Sequence, residues 1–221
     1  MRLPVGALRP DWQIGLPASP VDFDIDAQDQ WIAISYGPEH ILSLLQTSTG
    51  SAGQPIRTTG EIGTVRFQGD SRQLIAANLS ERMPSIYQVA SGRLIVNLPL
   101  AVRPDNLCFK SDGGELFVTG DGGDAVVVVF PYFTPQVAET VLAGHAPAAM
   151  ASTLSAPPAR QYLFVSNPKS GYVSIPDITQ RRTIAVTHVV AEPGQMSITP
   201  HDHYAWVLNQ GSVDMAVLLT P

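Results

Sequence analysis

A hairpin pattern that recurs every 42 to 47 residues constrains the fold of this chain more than any other feature of its sequence. Residues 163–177, LFVSNPKSGYVSIPD, join an apolar run to a second, alternating run through a turn rich in Asn, Pro, Ser and Gly. This order is typical of a β-hairpin. Further copies begin at Trp31, Leu74, Leu116 and Ala205. A period of about 40 to 45 residues built from short strands predicts a β-propeller, in which each unit is a blade of four antiparallel strands.

The segments around each hairpin complete the predicted blade. A short strand and a polar turn precede the hairpin, as in VRFQGDSRQ and LCFKSDGGE, and an outer strand with a Pro-containing link follows it, as in RLIVNLPLAVRP. The fourth copy is longer because APPARQ, residues 156–161, extends its first turn. The resulting units span about 20–63, 64–104, 105–147, 148–194 and 195–221.

The number of repeats predicts how the propeller closes. The 221 residues accommodate about five such units, which we expect to form one domain over residues 1–221. The sequence begins and ends within a unit, and residues 11–19 resemble a missing outer strand. We therefore expect 11–19 to complete the last blade, so that no sheet edge is left open. The prediction is an all-β, five-bladed propeller, closed by its N-terminal strand and almost free of helix.

Two of the copies resemble a known repeat family. LFVTGDGGDAVVVV and LFVSNPKSGYVSIPDITQRRTIAVTHVVAEP are similar to the repeats of YVTN-type seven-bladed propellers, found in surface-layer-like and lactonase-like proteins. The similarity is close over residues 104–221 and looser over 20–103, where SYGPEH and NLSERM replace Asn-Gly-rich turns. The resemblance implies a propeller with a binding or scaffold role and a periplasmic or extracellular location. It also implies an alternative, a lactonase-like hydrolase.

The same resemblance leaves a third interpretation open. Seven units at this period need about 305 residues, more than the 221 present here. The chain is then a fragment of a larger propeller, which would associate through its open edges.

Composition argues against several classes of partner. The formal net charge is −6 and there is no run of Lys or Arg, so a nucleic-acid-binding surface is not expected. No apolar stretch is long enough to cross a bilayer, and residues 1–10 lack the pattern of a signal peptide. The single Cys108 cannot form an internal disulfide and is expected to be a small buried hydrophobe. We expect a monomer or a weak oligomer without a cofactor.

Candidate ligand-binding residues lie in the loops that a propeller gathers at the mouth of its central channel. These are the turns within the hairpins and the links between blades, because loops carry variable side chains on a rigid scaffold. The expected ligand is a small molecule, a glycan or a protein. The candidate residues are His40, Arg82, Arg103, Asp105, Asp121, His145 and Glu192, with Asp22 and Asp24 on the first inner strand. The same loops carry Asp124 and Lys169.

Catalytic and metal-binding patterns are weak in this sequence. His201-Asp202-His203 has the composition of a metal site, but the repeats place it in a solvated turn on the opposite face, so no metal is predicted. His145 has no carboxylate or nucleophile near it in the sequence, and His40 lies two units away. Neither histidine is therefore predicted to be catalytic.

Asp22 and Asp24 suggest a different chemistry. By analogy, a five-bladed propeller suggests glycoside hydrolysis. This reaction needs two carboxylates that face each other across the channel. Both aspartates lie on one face of the same inner strand. The equivalent points of the other inner strands carry no acid: Arg66, Cys108, Ala151 and Ser197. A structural role for Asp22 and Asp24 is therefore favoured over a glycosidase site.

Overall fold

The computed structural model describes residues 13–132, 134–155 and 160–221, which form 19 β-strands and contain no helix. The strands are β1 Asp22–Ile25, β2 Trp31–Ser35, β3 Ile41–Gln46, β4 Ile56–Arg57, β5 Ile62–Phe67, β6 Gln73–Asn78, β7 Met83–Gln88, β8 Leu94–Asn97, β9 Arg103–Phe109, β10 Leu116–Asp121, β11 Ala125–Phe130, β12 Gln136–Leu142, β13 Met150–Ser152, β14 Leu163–Asn167, β15 Tyr172–Asp177, β16 Arg182–His188, β17 Pro193–Ile198, β18 Tyr204–Asn209 and β19 Asp214–Leu219.

Strands pair with their neighbours in sequence, always antiparallel, and form five sheets. The first four sheets contain β1–β4, β5–β8, β9–β12 and β13–β16, and the fifth contains β17–β19. This arrangement confirms the all-β propeller prediction. The strand numbers, four in each of four sheets and three in the last, fit the five predicted units.

Adjacent sheets pack through alternating residues of their second strands. Ile75, Phe117 and Phe164 occupy one repeat position and are 0%, 2% and 0% exposed. Each side chain packs against the second strand of the following sheet, as Phe164 does against Ala205 and Val207. We call the side of a sheet that carries this position its forward face. Because successive strand residues point to opposite faces, the neighbouring positions form a backward face.

The first copy of the repeat begins one residue later than the sequence suggested. Ala33 lies on the side of the first sheet that packs against the second, whereas Ile34 and Tyr36 lie on the other side. Ala33 is therefore the equivalent of Ile75, and the copy begins at Ile32 rather than Trp31. A shift of one residue exchanges the two faces of a strand, so burial fixes this alignment where apolar composition alone does not.

The predicted closure by residues 11–19 is not confirmed. The described part of this segment, residues 13–19, forms no strand, and the fifth sheet has three strands. Ile14, Leu16 and Ala18 instead pack against Ile34 and Tyr36, on the backward face of the first sheet. The physical reason is the apolar backward face of the first sheet, which these alternating side chains cover. Among the described residues no hydrophobic cluster joins the fifth sheet to the first, so the two ends of this arc of five sheets are not seen to pack against each other there.

Cys108 lies on the inner strand β9 of the third sheet. It packs against a cluster that includes Phe117 and Leu163, as expected for a small hydrophobe. Burial raises the pKa of the Cys108 thiol to about 11. The thiol therefore stays protonated and unreactive at neutral pH.

The hairpin turns share one backbone requirement. The residue before the third strand has a positive φ in four sheets: His40 (54°), Arg82 (54°), Gly171 (70°) and Val213 (57°). The left-handed region is unfavourable for residues with a Cβ, and most unfavourable for β-branched ones. Val213 is therefore the least suitable of the four.

We expect Val213→Gly to stabilise the protein. The side chain of Val213 is 93% exposed, so little packing is lost, while about 1–2 kcal/mol of backbone strain is relieved. Part of this gain is offset by the larger entropy of glycine in the unfolded chain, leaving about 0.5–1 kcal/mol. Urea unfolding measures the change. Val213→Ala, which keeps the Cβ, should gain less than half as much, and a destabilised glycine variant would contradict the explanation.

Candidate functional site

A group of charged residues in loops and at strand ends spans the second, third and fourth sheets on one side of the arc. We call it the loop surface, and it comprises Arg82, Arg103, Asp105, Asp121, Asp124, His145 and Lys169. Five of these seven residues belong to the candidates predicted from the sequence, and Asp124 and Lys169 lie in loops recognised at the same time. The fold brings them together because the hairpin turns and the links between sheets lie side by side.

The centre of the loop surface is an open cavity of about 430 Å³. It lies between the β10–β11 turn, the link from β12 to β13 and the β14–β15 turn. Its lining residues are Asp121, Gly122, Gly123, Asp124, His145, Ala146 and Lys169. Charged groups of both signs therefore face one space that is large enough for a small ligand.

His145 and Asp124 form a pair at this cavity. The Nδ1 atom of His145 is 3.1 Å from Oδ1 of Asp124, and the backbone N–H of Ala146 donates to the same oxygen at 3.3 Å. These two hydrogen bonds, that of Ala146 first, lower the pKa of the Asp124 carboxyl below its ordinary value. Asp124 is therefore a carboxylate at neutral pH. The pair joins residues 21 positions apart, which is why no partner for His145 was visible in the sequence.

Asp105 anchors the neighbouring part of the loop surface. Its Oδ1 is 3.0 Å from Nε of Arg103, and its Oδ2 accepts the backbone N–H of Asp121 at 3.1 Å. Oδ2 thus holds the end of β10 against β9, while Oδ1 pairs with Arg103 of the same strand. Asp105 is a positioning residue for Asp121, whose own carboxylate lines the cavity.

Arg82 reaches the loop surface from the second sheet. Its Nη2 donates to the carbonyl of Ala101 at 3.0 Å. The guanidinium also lies directly over Gly122, where an added Cβ would be 2.9 Å from Nη2. Gly122 has φ of 98°, so glycine suits both the close contact and the backbone at this point. Arg82 therefore borders the cavity without lining it.

His40 and Glu192 do not join this group. His40 lies in the β2–β3 turn of the first sheet, and Glu192 lies in the link before β17. Each offers its backbone carbonyl, His40 to the N–H of Thr58 at 2.9 Å and Glu192 to the N–H of Gln210 at 3.0 Å. Neither residue lines the cavity.

Asp22 and Asp24 connect two inner strands. Oδ2 of Asp22 accepts the N–H of Val65 at 3.0 Å and a hydrogen bond from Nη1 of Arg66 at 2.7 Å. Oδ2 of Asp24 accepts the N–H of Phe67 at 2.7 Å. Burial raises the pKa of Asp24, against the opposing effects of the Phe67 N–H and the Arg66 charge. These contacts, which link β1 to β5, support the structural interpretation of both aspartates.

Asp202 has a similar structural role on the opposite side of the arc. Its two carboxylate oxygens accept the backbone N–H groups of Leu154 and Ser155, each at 2.7 Å. Burial raises the pKa of Asp202, but these hydrogen bonds and that of the Ser155 hydroxyl outweigh it and leave the pKa lowered. Both oxygens of the Asp202 carboxylate, which lies between His201 and His203 in the sequence, thus already accept hydrogen bonds from backbone N–H groups. Among the described residues there is no group of three or more potential metal-binding side chains.

The described residues also contain no helix of sufficient length and apolar character to span a membrane.

Comparisons with known proteins support the fold. No protein-family model and no curated protein matches the chain. The β-propeller domain of Cps50 (Swd1) from Myceliophteria thermophila superposes with a TM-score of 0.76 at 12% identity, over 93% of this chain and 66% of that one. A functionally unknown protein from Desulfotomaculum acetoxidans gives 0.75 at 15% identity, over 94% and 70%. Kuenenia stuttgartiensis hydrazine synthase gives 0.55 at 10% identity, over 100% and 99%.

At these identities the similarity concerns the fold alone. The match covers 66% of the length of the Cps50 propeller domain.

Proposed function

We propose that this chain is a non-enzymatic binding scaffold that holds a glycan or another small polar ligand at the loop surface. The observation that supports it is the cavity of about 430 Å³, whose charged lining comes from three separate loops. The surrounding sheets and the hydrogen bonds of Asp105 and Asp124 fix those loops before a ligand arrives. Preorganisation of this kind reduces the entropy lost on binding.

The balance of charge narrows the class of ligand. Three carboxylates on the loop surface, from Asp105, Asp121 and Asp124, face three cations, from Arg82, Arg103 and Lys169. Such a surface offers hydrogen-bond donors and acceptors without a strong net field. It therefore suits a neutral molecule with many hydroxyl groups better than a polyanion. This is the reason for placing a glycan before the other ligand classes.

The hydrolase alternative has one supporting observation, the contact of His145 with Asp124. An imidazole oriented by a carboxylate is the arrangement that a general base uses. However, the lining residues include no Ser, Thr or Cys that the imidazole could activate. Both side chains of the pair are also more than 60% exposed, whereas catalytic groups work best away from water.

The third interpretation, a fragment of a larger propeller, concerns the architecture and is compatible with binding. It is supported by the ends of the arc, which are not seen to pack against each other among the described residues, and by the part of the Cps50 domain that has no counterpart here. The loop surface belongs to the second, third and fourth sheets, so additional sheets at the ends would leave it intact. A surface-layer-like role with a periplasmic or extracellular location stays a prediction from the YVTN resemblance.

The binding proposal can be tested with soluble oligosaccharides. We expect a member of a panel of chito-, cello- and malto-oligosaccharides to shift backbone amide NMR signals of residues 121–124, 144–146 and 169. Asp124→Ala with His145→Ala should weaken that binding by at least about tenfold, the result of losing one charge-assisted hydrogen bond. Removal of the loop 144–147 should abolish it; residues 103–105, the other segment expected from the sequence to be a loop, lie in β9 and are kept.

His40→Ala and Glu192→Ala provide matched controls, because they change loop residues that do not line the cavity. Both should bind as the unaltered chain does. The proposal fails if no oligosaccharide binds, or if the Asp124 and His145 variant binds equally well. Release of shorter sugars that depends on Asp124 and His145 would favour the hydrolase instead.

A further inference from the structure

A cavity of about 390 Å³ lies between the first and second sheets and shares no residue with the loop surface. We call it the Trp31 cavity, and its walls are Trp31, Leu44, residues 53–57 and residues 89–92. Trp31 begins β2, residues 53–57 end in β4, and residues 89–92 belong to the β7–β8 turn of the second sheet. Both of these sheets have four strands. The volume of the cavity is within the range of small-molecule sites.

The corresponding space between the third and fourth sheets is filled by Arg181. Arg181 and Gly92 occupy one repeat position, because both have a positive φ, 56° and 65°. The backbone N–H of each also donates to the carbonyl four residues earlier, at 3.0 Å and 2.8 Å. The side chain of Arg181 reaches Glu115, and a cavity of only about 10 Å³ is left there. Glycine has no side chain to extend, so the equivalent space beside Trp31 is open.

The walls of the two spaces differ in charge. Two carboxylates, from Glu115 and Glu139, hold the guanidinium of Arg181. Trp31 takes the place of Glu115, since each lies two residues before the position that packs against the following sheet. No wall residue of the Trp31 cavity is Asp or Glu. A cation in the Trp31 cavity would therefore lack the partners that Arg181 has.

Arg57 is the charged residue among the walls of the Trp31 cavity. Its guanidinium forms no ion pair with a described residue, whereas three other arginines of the chain do. Asp29 lines a neighbouring cavity that shares Trp31, but it does not line this one. A free guanidinium can donate two parallel hydrogen bonds to a carboxylate. Charge complementarity thus favours an anionic ligand, and above all a carboxylate.

The remaining walls are mainly apolar and aromatic. Leu44 and Val89 are buried, and the half-buried Trp31 and Ile56 pack against the same hydrophobic cluster. The indole of Trp31 offers a surface on which an aromatic ring can stack. A ligand that uses these walls as well as the guanidinium therefore needs an apolar ring attached to its carboxylate.

We propose that the Trp31 cavity binds a small aromatic carboxylate, with its ring against Trp31 and its carboxylate at Arg57. A sugar suits this cavity less well, because only Gln54 and Ser91 add polar side chains to the guanidinium and the indole N–H. The site is separate from the loop surface, and it does not depend on the function proposed there.

An NMR titration of the isotope-labelled full chain with phenylpropionate at neutral pH tests the proposal. We expect the indole N–H signal of Trp31, identified by its loss in Trp31→Phe, to shift with a Kd of about 0.1–1 mM for a ligand of this size. Phenylpropionamide has the same ring without the charge, and it should bind at least about tenfold more weakly. Intermolecular NOEs from the ring of phenylpropionate to the methyl groups of Val89 should locate it in the cavity.

Arg57→Met should weaken the binding of phenylpropionate by at least about tenfold and leave that of the amide unchanged, because only the charged ligand uses the guanidinium. Arg57 is exposed, so this variant should fold. Arg93→Met is the matched control, since Arg93 is an exposed arginine beside Gly92 that does not line the cavity. It should bind both ligands as the unaltered chain does. The loop-surface variant with Asp124→Ala and His145→Ala should also bind phenylpropionate normally.

Three results would overturn the proposal. The first is a Trp31 signal that does not move with phenylpropionate up to about 10 mM. The second is equal affinity for the acid and the amide, since the guanidinium would then have no part in binding. The third is an equal loss in Arg57→Met and Arg93→Met, which would indicate a general attraction of anions. None of these results depends on whether the loop surface binds a glycan.

Discussion

Gly120→Ala is expected to destabilise the protein by about 3 kcal/mol or more, close to the largest effects of single core substitutions. A Cβ on Gly120 would lie 1.6 Å from the carbonyl oxygen of Arg103 and 2.8 Å from the backbone nitrogen of Asp105. Both contacts are with backbone, so no side-chain rotation relieves them. The strand β10 has its register shift between Thr119 and Gly120, where it is pressed against β9. Relief of the clash requires these two strands to separate.

Urea unfolding monitored by tryptophan fluorescence would measure this loss, which corresponds to a fall in Tm of roughly 6–12 °C for a chain of this size. Gly69→Ala is the control, because no atom lies within 4 Å of its added Cβ. It should change the stability by less than about 1 kcal/mol. A Gly120→Ala variant as stable as that control would show that β9 and β10 can move apart freely. The expected separation should also displace Arg103 and Asp105, and with them the loop surface.

The second large effect is expected at Arg181, which connects the third and fourth sheets. Nη1 of Arg181 is 2.8 Å from Oε2 of Glu115, Nη2 contacts Oε1 of the same carboxylate, and Nε is 2.8 Å from Oε1 of Glu139. The Glu115 side chain is only 12% exposed. Hydrogen bonding to Glu115 raises the pKa of Arg181, so the guanidinium is charged at any ordinary pH.

We expect Arg181→Met to lower the free energy of unfolding by about 2–3 kcal/mol, because it leaves the Glu115 carboxylate buried without a cation. Adding Glu115→Gln should restore part of the loss, since the neutral amide is less unfavourable there. The double variant should thus be more stable than Arg181→Met alone. Arg182→Met, which changes an exposed neighbour, should alter stability by less than about 0.5 kcal/mol. If the second substitution adds a further full loss, the Arg181–Glu115 pair is not coupled as the geometry indicates.

Much of the fold could be predicted from the sequence because the same pattern of strands and turns occurs in it five times. The spacing of the hairpins and the polar turns between them fixed the number of sheets and the order of strands within each. The fate of residues 11–19 could not be predicted in the same way. The alternation of Ile14, Leu16 and Ala18 suits a strand paired with β19 and a segment lying over Ile34 equally well. Only the three-dimensional packing distinguishes these possibilities.

The candidate site, too, could be predicted from the sequence only in part. The repeats predicted which loops lie on one side, and the structure places Arg82, Arg103, Asp105, Asp121 and His145 near one another there. That these residues bind a ligand stays a prediction. The repeats gave no signal for the pairing of His145 with Asp124, which depends on the path of the link after β12. The repeats also grouped His40 and Glu192 with these candidates. A repeat position indicates the kind of loop that a residue occupies, but not how far along the arc that loop lies.

The pairing of every strand with its sequence neighbours has a consequence for synthesis in the cell. Each sheet can form as soon as its own 40 or so residues have left the ribosome, without waiting for a distant segment. The growing chain then always ends in a sheet whose forward face is still bare, and the next sheet covers it. The fifth sheet is the one for which this step has not occurred in the described chain. The exposed Trp206 therefore shows the state through which the forward face of each earlier sheet passes during synthesis.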